Sequence, residues 1–316
     1  MENRNNTKSL HQMEEILLAS IQTEIGLKHK LNSIDENEFK LNSNLIDTQS
    51  QILTDTEKEL IESLCKMVHF SRRENPINFN RKQEFSIKNQ SKDKLKVLLA
   101  NFLSIPVKRV VTFAQNLPDF TQLEIEERIG LLKEATIGIS ISASSSLFDS
   151  KSNIYRNIIS KDGNVYADES NMNLNVMKNV WNEELFTKTT NFLKTLSELC
   201  FDEACLALFL SIVLFSNEAV CPKNKEKVKN IATRYSFLLQ KYLQWKLGDK
   251  AEQVYKLLIS KLPELKTLGE MHVSFIQDVD QKQIDNFLLA FIFSKKNLKS
   301  NFGVDETSKG CVKYEL

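Results

Sequence analysis

The sequence has few of the residues that interrupt helices. Eight glycines and five prolines stand among 316 residues. The long stretches between them carry apolar residues at the i, i+3, i+4 and i+7 spacing of a helix. Because 41% of the residues are hydrophobic, the chain is also long and apolar enough to bury one large core. The composition therefore predicts an all-α protein.

The chain also lacks an excess of one charge and a long apolar run. Lys and Arg number 42 against 41 Asp and Glu, so the basic stripe that phosphate neutralisation requires is absent, and we expect no direct contact with nucleic acid. The longest apolar run, residues 206–215, is about half of the roughly 20 residues that span a membrane. It predicts a buried helix, and we expect no membrane partner and no secretory signal.

Paired cysteines and catalytic spacings are missing as well. The five cysteines are odd in number, scattered and never in CxxC spacing, which argues against a disulfide framework or a zinc site and favours a reduced compartment. Only four histidines occur, and none has Ser-His-acid or metal-ligand spacing. Neighbouring carboxylates such as Glu126 and Glu127 are typical of an exposed helix face. An enzyme is not expected.

The chain divides into three parts by composition. Residues 1–46 form a polar leader in which only 13–27 has helical spacing, typical of either a partner-binding helix or a loosely docked segment. Residues 47–296 carry the regular apolar patterns and predict the folded domain. Residues 297–316 are a polar tail.

The chain as a whole shows about ten helical stretches, and its folded part has one place that favours strands. Thr54 or Thr56 is placed to cap the first helix, Pro106 to kink the second, and Thr121 to cap the third. An Asp-Gly pair inside 153–169 predicts a single small β-hairpin. The helices are expected at 54–70, 94–116, 124–148, 173–196, 202–216, 224–246, 249–277 and within 283–296.

The string VTFAQNLPDFTQLEIEERIGLLK at 111–133 resembles the signature of nuclear receptor ligand-binding domains. Segments 201–216 and 254–272 resemble the eighth helix and the tenth and eleventh helices of that family, in the same order. The resemblance implies a three-layer antiparallel helical sandwich of about twelve helices. The matching positions are Phe113, Ala114, Pro118, Phe120, Leu123, Leu131, Leu132 and Lys133.

Within the family, the sequence looks most similar to the ecdysone receptor and its oxysterol and bile-acid receptor relatives. Residues 53–76, 165–172 and 266–272 carry this likeness. Full receptors also have a DNA-binding domain with two four-cysteine zinc modules, and no such array occurs here. The sequence thus resembles the ligand-binding half alone.

The resemblance implies a ligand pocket whose polar contacts are altered. Leu103 and Pro106 stand where ecdysone receptors have two Thr residues with hydroxyls in the pocket. Ala143 stands where they have an Arg. Unpaired buried hydroxyls cost about 1–3 kcal/mol each, so an ecdysteroid is not expected. We expect an apolar lipid or sterol, or a pocket filled by its own side chains. The pocket candidates are Leu99, Leu103, Pro106, Ser140, Ala143, Tyr166, Asn171, His272, Phe275 and Phe293.

Met271-His272 also resembles a string that supplies the axial ligand in haem-binding receptors, and a neutral imidazole can take that role. The alternative, a buried histidine with a satisfied hydrogen bond, is favoured because no second ligand is evident.

The family's coactivator groove holds an LxxLL helix between a Lys and a Glu, which meet the two ends of the helix dipole. Here these positions are Gln115 and Phe291, so both charges are missing. We favour an apolar last helix that only packs against the domain over one that recruits a coactivator. The pattern LKVLL at 95–99 matches LxxLL, but its leucines are needed in the core. The groove candidates are Val111, Gln115, Phe120, Ile125, Arg128, Ile129, Leu132 and Phe291.

The resemblance finally implies a partner of the retinoid X receptor or ultraspiracle type, bound through 249–268. The interface candidates there are Tyr255, Leu258, Leu262 and Leu265. We expect a transcription regulator that acts through coregulators in the nucleus, with the cytoplasm as a second compartment. The alternative is a ligand-independent module that occupies another receptor as a dominant-negative or corepressor-type partner.

Overall fold

A computed structural model describes residues 53–76, 91–155, 158–161, 164–167, 172–216 and 225–292. The predicted leader helix at 13–27 and the polar tail lie outside these ranges, and the proposed domain limits stay predictions.

The described part contains ten α-helices, which confirms the all-α prediction. In chain order they are α1 Asp55–Glu74, α2 Lys92–Phe102, α3 Ser104–Asn116, α4 Pro118–Thr121, α5 Ile125–Ser144, α6 Glu183–Leu199, α7 Glu203–Phe215, α8 Lys225–Leu247, α9 Ala251–Gln277 and α10 Asn286–Ile292. Short 3-10 helices lie at Ser145–Leu147, Leu174–Asn179, Gly248–Lys250 and Gln281–Gln283.

The first helix begins where its capping residues predict. Thr54 is the N-cap, and its hydroxyl accepts a hydrogen bond from the amide of Glu57 while the Glu57 carboxylate accepts one from the amide of Thr54. This reciprocal pair satisfies two amides that have no partner within the helix. Thr56 lies inside α1 and is not the cap.

The predicted kinked helix at 94–116 is two helices, α2 and α3, which meet at Leu103. The prediction of a kink at Pro106 was wrong in position. The proline ring excludes the carbonyl four residues earlier, at Phe102, so the helix ends there and restarts with Pro106 in its first turn. Lys92–Asn116 as a whole passes the length and hydropathy test for a membrane span, as core helices also do, and half of its most apolar window is buried.

The third helix starts later than predicted. The Thr121 hydroxyl donates to the carbonyl of Pro118 and closes the four-residue helix α4, so it is not free to cap another helix. Glu124 is the N-cap of α5 instead, and it forms a capping box with Glu127.

The strand region holds more than the predicted hairpin. Strand β3, Ile158–Lys161, pairs antiparallel with β4, Asn164–Ala167, as predicted. A second sheet was missed: β1, Phe148–Asp149, pairs with β2, Ile154–Tyr155, which pairs with β5, Met172–Asn173. Strands of two residues are too short to show an alternating pattern.

The predicted helix at 173–196 is also wrong at its start. A 3-10 helix occupies Leu174–Asn179, and α6 begins only at Glu183, where the Asn182 side chain accepts a hydrogen bond from the amide of Leu185 at 2.8 Å. The buried residues Val180 and Trp181 lie between the two elements.

Helices α5 and α7 form the middle of a three-layer sandwich. Helices α1 and α3 pack on one side, and α9 packs on the other side of α5 while α8 packs against α7 and α9. Every residue of α7 from Ala204 to Phe215 is buried, as predicted for the apolar run at 206–215. At Gly138 of α5 an added Cβ would lie 3.3 Å from the Leu265 Cγ, so the glycine permits the close approach of α9.

Candidate functional site

A largely apolar cavity of about 130 Å³ lies inside the sandwich. Its wall is built from α1, α2, α3, α5, α6, α7 and α9, with Tyr155 of β2 and Met177 contributing from the strand region. An apolar cavity of about 150 Å³ holds a molecule the size of benzene, whereas pockets for larger ligands span about 300–1,000 Å³. In this conformation the space fits a small apolar ligand and not a steroid.

The structure brings most of the predicted pocket residues to this cavity. Tyr166 lies on β4 opposite Ile159, with its side chain outside the described part, and Asn171 and Phe293 lie outside the described residues altogether. Their roles, and those of the residues that line the cavity, stay predictions. The predicted residues on the wall are Leu99, Leu103, Pro106, Ser140, Ala143, His272 and Phe275.

The cavity wall carries His272, a buried histidine whose ring contacts are defined. The Thr189 hydroxyl donates to the carbonyl of Leu185 at 2.7 Å and lies 3.0 Å from His272 Nε2. Because the hydroxyl proton is used on the carbonyl, Nε2 donates to Thr189 and Nδ1 is left as an acceptor. Burial lowers the pKa of His272 to about 4, so the imidazole is neutral at physiological pH.

Two more polar groups stand on the same wall. The indole of Trp181 meets the His272 ring edge-on, with centroids 4.9 Å apart. Trp181 Nε1 and Ser140 Oγ are both buried without a hydrogen-bond partner in the described part. Such groups cost about 1–3 kcal/mol each when left unpaired. A ligand with one hydroxyl or carbonyl group would have partners here.

Two cations also line the cavity. Arg72 of α1 and Arg109 of α3 both line it. Arg72 Nη1 donates to Glu203 Oε1 at 2.9 Å, and Arg109 Nε donates to the carbonyl of Asn75 at 2.8 Å. Burial, followed by the charge of Arg72, lowers the pKa of Arg109 to about 10. The Arg109 guanidinium is therefore charged at neutral pH.

These cations were missed by sequence reasoning, as were Trp181 and Thr189. The available signal was a single basic pair, Lys108-Arg109, inside the otherwise apolar stretch 102–114. A pattern of spacing does not show which member of such a pair faces inward.

Haem coordination through His272 does not suit this geometry. Its Nε2 is engaged with Thr189, and a porphyrin is much larger than a cavity of about 130 Å³. No cluster of three or more His, Cys, Asp or Glu residues suited to a metal occurs among the described residues.

The groove candidates with described side chains are half-buried or buried. Val111, Phe120 and Leu132 are buried, and their role in a coregulator groove stays a prediction. Gln115 is 7% exposed and is also largely removed from the surface. Ile125, Arg128 and Ile129 are half-buried, and the side chain of Phe291 is outside the described part.

The last helix packs on helices that carry several of these candidates. Helix α10 packs against α3, α5 and α9. Asn101 of α2 fixes the segment that leads into it: its Nδ2 donates to the carbonyl of Gln283 at 2.8 Å, and its Oδ1 accepts from the amide of Asp285 at 2.7 Å. Lys108 Nζ lies 5.5 Å from the centre of the Phe287 ring. The surface of α3 and α5 is thus closed by the chain itself.

The leucines of LKVLL behave as core residues. Leu95 and Leu99 are buried, so they cannot enter the groove of another receptor in this conformation.

Two of the predicted dimer residues are also in the core. Leu258 is fully buried and Leu265 is 2% exposed against Gly138, so neither can contact a partner chain in this conformation, and the prediction was wrong for both. Tyr255 and Leu262 are half-buried, and Leu257 is 44% exposed. The seven-residue spacing of Leu258 and Leu265 marks the inner face of α9 and not its outer face.

Comparison with known proteins gives a family match. The family model described as the ligand-binding domain of nuclear hormone receptor matches residues 90–279. Nuclear hormone receptor E75 of Metapenaeus ensis is 26% identical over 166 residues, 52% of this chain and 26% of that protein. Vitamin D3 receptor of Xenopus laevis is 26% identical over 191 residues, 58% of this chain and 44% of that protein.

A third relative is the retinoic acid receptor RXR of Biomphalaria glabrata, 22% identical over 187 residues, 58% of this chain and 41% of that protein. The chain therefore spans between about a quarter and less than half of the length of these relatives.

Proposed function

The chain belongs to the nuclear hormone receptor ligand-binding domain family, and from this membership we propose that it is the regulatory module of a nuclear transcription regulator, controlled by a small, largely apolar ligand. The module acts by binding and association, with no catalytic step.

The observation that carries this proposal is the internal cavity. Its wall is mostly apolar, and it includes buried polar atoms of Ser140 and Trp181 that no described group satisfies. Apolar walls with a few convergent polar groups are typical of small-molecule sites. His272 adds a third polar residue to the wall, so a compact apolar ligand with one polar function has complementary contacts.

The closed surface of α3 and α5 supports regulation through the last helix. Because the groove candidates lie on α3, α4, α5 and α10, a movement of α10 would change the surface that a coregulator meets. The Lys and Glu charges of the family's groove are replaced by Gln115 and Phe291. We therefore propose weak coactivator recruitment and a bias towards repression.

Association with a second receptor is the other part of the proposal. A relative named as RXR makes a partner of that class a reasonable first candidate. The apolar and aromatic residues of α9 that remain accessible include Leu257, Tyr255 and Leu262, and they define the surface to test.

A reporter assay tests the proposal. The full chain is fused to a heterologous DNA-binding domain, and transcription is measured with and without a co-expressed retinoid X receptor ligand-binding domain. We expect repression relative to the DNA-binding domain alone, together with a complex in size-exclusion chromatography that Leu257→Glu weakens. Phe201→Glu is the matched control, because Phe201 is 43% exposed and outside α9.

An unchanged reporter together with no complex would refute the proposal. A complex that both glutamate variants weaken equally would place the interface elsewhere.

The small volume of the cavity favours a second candidate, a ligand-independent module that occupies another receptor. Small-to-large substitution separates the two. Ala143→Leu fills the cavity, and it abolishes a ligand response while leaving a ligand-independent effect on the reporter intact.

A further inference from the structure

Two cysteines lie close together at the link between α6 and α7. Cys200 is the C-cap of α6, and Cys205 lies in the first turn of α7. Both are thiols. The Cys205 Sγ lies 3.8 Å from the carbonyl oxygen of Leu199, the residue before Cys200, and the two thiols are in hydrogen-bonding contact with each other. The fold therefore places two sulfur atoms side by side.

Hydrogen bonds hold the chain on both sides of this pair. The amide of Cys200 donates to the carbonyl of Leu196 at 2.8 Å. Asp202 caps α7, and its carboxylate accepts from the amide of Cys205 at 2.9 Å. The same carboxylate accepts from the Tyr242 hydroxyl of α8 at 2.5 Å. Because both cysteines are held by their backbones, little conformational freedom is lost when a bond forms between their side chains.

The two thiols differ in exposure and in acidity. Cys205 is fully buried, whereas Cys200 is half-buried. The hydrogen bond with Cys200, followed by burial, raises the pKa of the Cys205 thiol, so this thiol keeps its proton at neutral pH. A small oxidant in solution therefore meets Cys200 first, because Cys200 is the member of the pair that solvent reaches.

We propose that Cys200 and Cys205 form a reversible disulfide when the protein meets a peroxide. The Cys200 thiolate attacks one oxygen of hydrogen peroxide, the O–O bond breaks, and the departing hydroxide takes up the proton that the thiol released. This step yields one water and a sulfenic acid at Cys200. The Cys205 sulfur then attacks the Cys200 sulfur, the S–O bond breaks, and the Cys205 proton leaves with the oxygen as a second water. The two thiols are oxidised and the peroxide is reduced.

Peptide mapping of the full chain by mass spectrometry tests this inference. The reduced protein is treated with hydrogen peroxide, its remaining thiols are alkylated with N-ethylmaleimide, and the protein is digested with chymotrypsin without reduction. Cleavage after Phe201 separates the two cysteines, so a disulfide between them leaves their fragments joined. We expect the oxidised wild type to lose both alkylation sites of the pair and to yield the joined fragments. Dithiothreitol should separate the fragments and restore both sites.

Serine variants show which thiols are needed. Cys200→Ser and Cys205→Ser should each abolish the joined fragments. Cys65→Ser is the matched control, because Cys65 of α1 is also a buried thiol and its loss should leave the joined fragments unchanged. Circular dichroism checks that the variants are folded, and Cys200→Ser decides if Cys205→Ser does not fold.

Three results would overturn the inference. They are oxidised wild type without the joined fragments, a disulfide that pairs Cys205 with another cysteine, and a Cys200 that proceeds to a sulfinic or sulfonic acid without pairing. Neither Cys200 nor Cys205 lines the cavity, and the measurement needs no ligand or partner chain. Its outcome is therefore independent of the proposed function.

Discussion

Protonation of His272 should destabilise the protein in a defined pH window. His272 is 3% exposed, and burial lowers its pKa from 6.5 to about 4 in the folded state. A group with a lowered folded pKa takes up a proton more readily after unfolding. For this histidine, stability is fully present above pH 6.5 and is lost as the pH falls towards 4.

The size of the effect follows from the two pKa values. Each pKa unit corresponds to about 1.4 kcal/mol, so the full shift corresponds to about 3 kcal/mol. Between pH 7.5 and pH 5 the linkage relation gives a loss of about 2 kcal/mol from this residue alone. Other titrating groups add their own contributions, so a variant without the imidazole is needed for comparison.

Urea unfolding of the wild type and of His272→Gln at pH 7.5 and 5.0 isolates the contribution. Glutamine can still donate to the Thr189 hydroxyl but does not titrate. We expect the free energy of unfolding of the variant to fall by about 2 kcal/mol less than that of the wild type over this range. His69→Gln is the control: His69 is partly exposed beside Glu203, and its loss leaves the His272 contribution in place.

A variant whose stability changes with pH as steeply as the wild type's would refute the reasoning. It would mean that His272 is not held neutral by burial, and the assignment of Nδ1 as an acceptor in the cavity would fall with it.

Further outcomes are expected from substitutions outside the cavity. Thr54→Ala removes the capping box of α1 and should lower the free energy of unfolding by about 1 kcal/mol, while Thr56→Ala should not lower it. Phe209→Ala, at the centre of α7, should cost about 3–5 kcal/mol in urea unfolding, whereas Phe237→Ala, at a side chain that is 59% exposed, should stay within about 0.5 kcal/mol; similar losses would contradict the central place of α7. Asn101→Ala removes two hydrogen bonds to the segment before the last helix and should speed amide hydrogen exchange in that helix, and unchanged exchange would show that packing alone holds it.

Much of the fold could be predicted because its signals are local. The Thr54 capping box, the apolar run of α7 and the single long helix α9 each depend on residues within a few turns of one another. The strands β1, β2 and β5 could not be predicted, because each has only two residues and forms only by pairing with another segment of the chain.

The cavity was predicted in part for a similar reason. Ser140 and His272 were found because the family resemblance aligned their positions, and both line the cavity. Arg109 and Trp181 were not found, since their importance comes from what lies opposite them and not from their neighbours in sequence. The prediction of a partner contact failed at Leu258 because an apolar residue looks the same in sequence whether a partner or the chain's own core covers it.

The sequence by itself determined the all-α class, the order of the helices and the family, because helix periodicity and the motif at 111–133 are properties of contiguous residues. Only the tertiary structure decided that α10 packs against α3 and α5, that the cavity is small, and that a neutral histidine and the Arg109 guanidinium both line it. These properties depend on distances between helices far apart in the chain and on the removal of water from between them, and neither is written in local sequence.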